Sequence, residues 1–281
     1  MPTTPRSGAE VPAPKARQTS DTTREERSAV VVKVGGSVAG QSGADATIIA
    51  TLHDTGTPLI VVHGGGPLVG EWSAKLGLEP RFERGLRVTD EPTRDVALAT
   101  LTGLANSRLV AALVHRGVPA VGLSGLDGGM LRAERESADL GLVGRITLVD
   151  SSLLEELLER GRVPVVAPAA LQADTGEPLN VNADSVAGAI AAAIGARLLA
   201  FVTDVPGVRG QDGKLIATLD RERARALVDD GTIEGGMLPK VEACLLAASA
   251  GCRAAIVASG GDALERLLSG ERVGTVVEAA P

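Results

Sequence analysis

From Ser28 onward, short continuous apolar runs alternate with segments whose apolar residues recur at helical spacing. "AVVVKVGGS" opens the series: an apolar run, interrupted only by Lys33, that stops at two glycines. A run without polar alternation fits a strand covered on both faces, as in a parallel sheet. "ADATIIATLHDTG" reads as a short helix ending at Gly56, and "PLIVVHGGG" as a second buried strand. "PLVGEWSAKLG" begins with a proline suited to a first helical turn and stops at Gly77. "PRFERGLRVTD" is more polar and reads as a hairpin or irregular cover. A single long helix follows over "DEPTRDVALATLTGLANSRLVAALVHRG", then a third strand in "VPAVGLSG". "GMLRAERESADLGLVGRITLVD" reads as a second hairpin, "SSLLEELLERG" as a serine-capped helix and "RVPVVAPAA" as a fourth strand.

The remainder continues the alternation. A loop and an alanine-rich helix span "PLNVNADSVAGAIAAAIGA", and "LLAFVTDVPGV" is a fifth strand. "LDRERARALVDDG" and "MLPKVEACLLAASAG" are helices; "RAAIVAS" and "GTVVEA" are final strands on either side of "DALERLLSG". The pattern predicts an α/β protein, a three-layer αβα sandwich around a mostly parallel central sheet with β-hairpin covers over one edge. Ligands of such sheets bind at the carboxyl ends of the strands, where the glycine-rich stretches fall. The expected organisation is one continuous domain, 29–281, with lobes at 29–178 and 179–281. Residues 1–28, rich in Pro, Ser, Thr and charge, read as a disordered extension.

Composition narrows the function classes. Three aromatic residues, Trp72, Phe82 and Phe201, are too few for stacking single-stranded nucleic acid, and a net charge of −7 argues against a general nucleic-acid binder. A few cations in a cleft can still attract small anions. Cys244 and Cys252 match neither a CxxC pair nor a metal cluster, so reduced buried thiols are expected and no protein-built metal site. No run approaches the length of a membrane span and the start lacks a secretory apolar core, so no membrane partner is expected and the location is read as cytoplasmic.

The glycines after the first two strands admit several chemistries. "HGGG" occurs in lipase-type oxyanion holes, but that reading needs a GxSxG elbow. In "VGLSGLDG" Leu126 stands at the second glycine position, and His53 and His115 fall on helices. A dinucleotide loop needs GxGxxG. Gly64 and Gly66 fit, but Val69 fills the third place. No GxxxxGK[ST] loop is present. What remains is a pair of turns, "KVGGS" and "VHGGGP", whose backbone N–H groups can converge on anions, helped by the following helix N-termini. One such turn would serve strand-to-helix geometry alone; two, with charges nearby, point to anion binding.

Lys33 is out of place in an apolar strand unless its ammonium meets an anion; the alternative is an edge strand with the lysine in solvent. Lys240 in "EGGMLPKV" opens a helix and by itself could be any surface lysine. Arg87 in "GLRVTD" suits a carboxylate or plain solvent equally. Asn180, Asn182 and Asp184 in "NVNADSVAG" exceed what one helix cap needs. Asp204 ends a strand before a Pro-Gly turn.

Taken together, "KVGGS", "VVHGGGP", "GLRVTD", "GLSGLDGG", "PLNVNADSVAG", "TDVPGV", "GGMLPKV" and a terminal "GTVV", in this order over Val30 to Val277, resemble the amino-acid kinase family. Within it they are most similar to the branch that phosphorylates the side-chain carboxylate of N-acetyl-L-glutamate, using ATP with Mg²⁺, in arginine biosynthesis. The resemblance implies Lys33 and Lys240 as catalytic cations and Asp184 as their organiser. It implies Gly65, Gly66, Arg87, Asn180 and Asn182 as substrate-binding residues. It assigns ATP to Gly35, Gly36, Asp204, Val205, Pro206, Gly207, Val208, Arg209, Thr232, Ile233 and Glu234. "GLSGLDGG" is also similar to a related branch acting on an amino-group carrier protein, and a catalytically silent regulator of the same fold is a further alternative. "VASGG" departs from the signature of many members. The polar, Pro-rich segment before the first strand contrasts with the amphipathic helix of arginine-inhibited hexameric members, so a homodimer without strong arginine inhibition is expected.

Overall fold

The computed structural model describes residues 29–35, 42–83, 85–258 and 262–278. The expected disordered extension therefore lies outside the described residues, as do Gly36 and the glycines of "VASGG". Eight strands form the main sheet: β1 (Val30–Val34), β2 (Leu59–His63), β5 (Ala120–Ser124), β8 (Val163–Ala167), β11 (Leu198–Thr203), β12 (Thr218–Leu219), β13 (Arg253–Ala258) and β14 (Thr275–Val277). Their order is β12-β14-β13-β11-β1-β2-β8-β5. All neighbours run parallel except β13 and β14. Both faces are covered, which is why strands such as "VVVKV" and "LIVVH" carry no polar alternation.

Strand alternation sorts the core into two layers. Val31, Ile60 and Val62 pack with α6 (Ala183–Ile194) and α8 (Met237–Ser249). Val30, Val32, Val34 and Val61 pack on the other face, with α1 (Ser42–Asp54) and α4 (Asn106–His115). Lys33 therefore shares the Val31 face, toward α6 and α8. β1 lies in the middle of the sheet, not at its edge, and Lys33 is only 6 % exposed.

Besides β10 (Pro178–Val181) and the short β12, strands where none was expected, three elements differ from the sequence pattern. "RVPVVAPAA" forms two strands rather than one, because Pro168 has no N–H with which to continue the ladder. β8 stays in the main sheet and β9 (Ala169–Gln172) leaves it. The expected second hairpin, β6 (Leu131–Arg135) and β7 (Val143–Val149), does form, but it closes with β9 and β10 (Pro178–Val181) into a small four-stranded barrel. The first hairpin, β3 (Phe82–Glu83) and β4 (Leu86–Arg87), is as expected.

The third difference is in the long helix. α3 (Glu91–Leu98) opens into a π-helical segment at Ala99–Ala105 before α4. Thr100 and Thr102 donate their hydroxyls to the Val96 and Leu98 carbonyls four residues back, which competes with the α-helical pattern. Contrary to expectation, the 25 residues Glu91–His115 are long and apolar enough to cross a membrane by composition. Leu101, Ala105, Leu109 and Leu113 are instead buried inside the protein. The remaining helices are α2 (Gly66–Lys75), α5 (Ser152–Glu159), α7 (Arg221–Asp229) and α9 (Ala263–Leu268).

Candidate active site

The carboxyl ends of β1 and β2 meet the N-terminus of α6. Asn182 caps that helix, its Oδ1 accepting from the backbone N–H of Asp184 at 2.8 Å and of Ser185 at 3.2 Å. The cap turns Asp184 inward, where it is 5 % exposed. One carboxylate oxygen forms an ion pair with Lys33 Nζ at 2.7 Å and the other with Lys240 Nζ at 3.0 Å. Lys240 Nζ also donates to the Gly236 carbonyl at 3.0 Å. Two ammonium groups thus share one buried carboxylate. Burial depresses the pKa of Lys33 below its ordinary value and Lys240 adds to this, while Asp184 opposes it.

Beside this trio lies a cavity of about 270 Å³, bounded by Lys33, Gly64 to Gly66, Arg87, Asn180 and Asp184. Gly66 faces it at the first turn of α2, where an added Cβ would meet nothing within 4 Å. Gly65 is required by close approach, since a Cβ there would stand 2.5 Å from Leu101 Cδ2. Among the described residues the N–H groups of Gly65 and Gly66 have no acceptor. Arg87 reaches in from β4. Its Nη2 donates to the Gly66 carbonyl at 3.1 Å, its plane lies over Phe82, and its Nη1 is buried with no partner among the described residues. None of their carboxylates neutralises it there, and burial lowers its pKa from the usual value. A half-buried guanidinium whose buried N–H edge has no partner among the described residues, two backbone N–H groups likewise unpartnered there, and an ammonium define an anion site. Asn180 lies opposite, its Nδ2 donating to Thr89 Oγ1 at 3.2 Å.

Of the described residues assigned to ATP, Gly35 follows β1 and the others lie elsewhere. Asp204 to Arg209 follow β11, and Thr232 to Glu234 precede α8. Gly207 (φ 146°) is held against Thr275, whose hydroxyl accepts from Val208 N–H at 2.8 Å and donates to the Ile216 carbonyl at 2.7 Å. Val208 and Ile233 have their side chains in the core, so only their backbone is free to face a ligand. Thr232 Oγ1 is buried without a partner among the described residues. Among those residues no group of three or more His, Cys, Asp or Glu side chains could hold a metal ion. A Mg²⁺ here would ride chiefly on the phosphates of a nucleotide, its usual mode.

Sequence reasoning missed several supporting residues. Thr89, fully buried, links Asn180 to the Arg87 carbonyl. Asn106 contacts His63, which the sequence showed only as the first residue of the HGGG motif. Its signal was available: Asn106 stands three residues before Leu109 and seven before Leu113, a polar group on the buried stripe of a helix.

The profile of the amino acid kinase family matches residues 28–259, and the chain belongs to that family. Among its relatives, it is 46 % identical over 233 residues to the acetylglutamate kinase of Geobacillus kaustophilus, covering 82 % of this chain and 90 % of that one. It is 42 % identical over 234 residues to the acetylglutamate kinase of Dehalococcoides mccartyi, covering 81 % and 86 %. A solved structure, smu.665 of Streptococcus mutans, superposes with a TM-score of 0.77 at 26 % identity, covering 89 % of this chain and 98 % of that one.

Proposed function

We propose that this protein transfers the γ-phosphoryl group of ATP to the side-chain carboxylate of N-acetyl-L-glutamate, making N-acetyl-L-glutamyl 5-phosphate for arginine biosynthesis. The observation that carries the proposal is the Lys33–Asp184–Lys240 trio beside a cavity with a free guanidinium edge. A carboxylate oxygen attacks the γ-phosphorus and the bond to the β–γ bridging oxygen breaks, releasing ADP. The nucleophile is already ionised, so no general base is needed and no proton moves. The protein's work is to hold two repelling anions in line and offset charge on the moving group.

Lys33 and Lys240 face the phosphoryl group, and Asp184 keeps their ammonium groups apart and aimed. Arg87 takes the α-carboxylate of the acceptor, Gly65 and Gly66 meet its reacting end, and Asn180 borders its amide. ATP would lie over Gly35 and Gly36 and along the 204–209 and 232–234 loops, and Mg²⁺ carried on its phosphates would shield their charge. The lobe 29–178 then holds most of the acceptor's contacts and 179–281 most of the nucleotide's, with Asn180 and the Gly35–Gly36 turn crossing the division.

An ADP-release assay with a panel of carboxylates tests this. Turnover with N-acetyl-L-glutamate well above that with glutamate, aspartate or aminoadipate is expected. Turnover restricted to another carboxylate, or to a carrier-protein-linked one, would overturn the substrate assignment while leaving the family membership untouched.

A further inference from the structure

We infer that Asn106, acting through His63, is a positioning residue that sets the Gly64–Gly66 backbone for the acceptor. The inference rests on the reading that this glycine turn holds the acceptor. His63 is 1 % exposed at the end of β2. Its Nδ1 lies 2.8 Å from the Gly64 carbonyl and its Nε2 lies 3.1 Å from Asn106 Nδ2. A carbonyl can only accept and an amide nitrogen can only donate, so the ring is neutral, with its proton on Nδ1. Asn106 Nδ2 also lies 2.8 Å from the Val165 carbonyl and 3.2 Å from the Leu123 carbonyl, so its two protons are shared among three acceptors. One amide thereby contacts β2, β8 and β5, three neighbours in the sheet.

The consequence for the turn follows from peptide geometry. His63 is on the Val61 face of β2, toward α4, and it draws the Gly64 carbonyl to that side. A trans peptide points its N–H opposite to its C=O. The Gly65 N–H is thus directed to the Lys33 and Asp184 face, where the cavity lies. Two glycines permit the arrangement. A Cβ on Gly122 would stand 2.1 Å from Asn106 Oδ1, and a Cβ on Gly65 would strike Leu101 of the π-helical segment. That segment ends at Ala105, immediately before Asn106, and a π turn is a common way of re-aiming a side chain at a functional site. Lys33 is the charged group that bears on His63, and together with burial it disfavours the imidazolium.

Kinetics of the whole chain test the inference. His63→Asn keeps an N–H donor where Nδ1 stood but loses Nε2, and is expected to raise the KM for N-acetyl-L-glutamate less than His63→Leu does. His63→Leu and Asn106→Ala are expected to raise it about tenfold or more, with the KM for ATP unchanged. Equal acceptor KM in all three variants and wild type, whatever their melting temperatures, would overturn the positioning role. Gly66→Ala separates this from failure of the underlying reading: a raised acceptor KM there with none in the other variants sinks the positioning role alone. An unchanged value for Gly66→Ala removes the acceptor turn itself. Independently, long-range ¹H–¹⁵N spectra of the three histidines should show His63 as the Nδ1–H tautomer at neutral pH. An Nε2–H or doubly protonated His63 would contradict the geometry.

Discussion

Arg87 keeps one edge of its guanidinium free inside a cavity where no carboxylate of the described residues meets it. Such a group is costly to bury unless a ligand completes it. Arg87→Ala should raise the KM for N-acetyl-L-glutamate by roughly tenfold to a hundredfold with little change in the KM for ATP. Steady-state kinetics with each substrate varied in turn will check this, and an unchanged acceptor KM would remove Arg87 from the site. Lys33 makes a different prediction. Its charge is needed, and burial holds its pKa below the ordinary 10.5. Activity should therefore begin to fall at a lower alkaline pH than an ordinary lysine would impose. In Lys33→Arg, whose guanidinium stays charged, that limb should move upward. Stability responds with the opposite sign: the folded state disfavours the Lys33 proton, so that cost is present in full below the depressed pKa. It is relieved as pH rises through the depressed pKa toward the unfolded value. At this scale the sequence was most legible where a residue type clashed with its surroundings. Lys33 among valines announced itself, whereas Thr89 and Thr275 looked like ordinary threonines because only their partners give them a role.

At the scale of elements, α6 holds the trio together, since one side chain at its first turn carries both cations. Asp184→Ala leaves two ammonium groups facing each other with no carboxylate between them. It should cost about 3 kcal/mol or more of stability, and more than Lys33→Ala or Lys240→Ala, each of which leaves a pair intact. Urea unfolding of the three variants gives the order, and the reverse order would refute this account of the trio. Gly207 is a second element-scale test. Its φ of 146° and the 2.5 Å from an added Cβ to Thr275 Oγ1 mean Gly207→Ala must displace the 204–209 loop. A raised KM for ATP with an unchanged acceptor KM is expected; the opposite split would detach that loop from the nucleotide. Strands and most helices were readable because buried parallel strands and glycine stops leave strong patterns. The π-helical segment was not, because its seven residues continue the apolar stripe and only tertiary packing decides the wider turn. The division of "RVPVVAPAA" was signalled by Pro168, but closure of a barrel depends on partners far along the chain.

For the whole molecule, the sheet order puts β1 and β2 side by side at the centre, flanked by β11 and β13 on one side and by β8 and β5 on the other. That order could not be read from sequence, because parallel strands with similar valine-rich runs are interchangeable until their crossovers are known. The two glycine turns were legible as a pair; that they sit on adjacent strands comes from the fold. Our expectation of a homodimer without strong arginine inhibition rests on residues 1–28 and on family resemblance. Light scattering should give twice the 28.5 kDa chain mass, and millimolar arginine should leave both activity and melting temperature unchanged. A hexamer, or inhibition at that concentration, would reverse it.

The single carboxylate between Lys33 and Lys240 also works as a ruler. Its two oxygens are a fixed bond geometry apart, and each engages one ammonium within 3.0 Å. The spacing of the two cations is therefore held near what one carboxylate spans before any phosphate arrives. Lengthening the ruler by one methylene, in Asp184→Glu, keeps every charge and spoils the gauge. The variant should bind ATP and N-acetyl-L-glutamate much as before, yet turn over roughly a hundredfold more slowly, as a catalytic group misplaced by about 1 Å does.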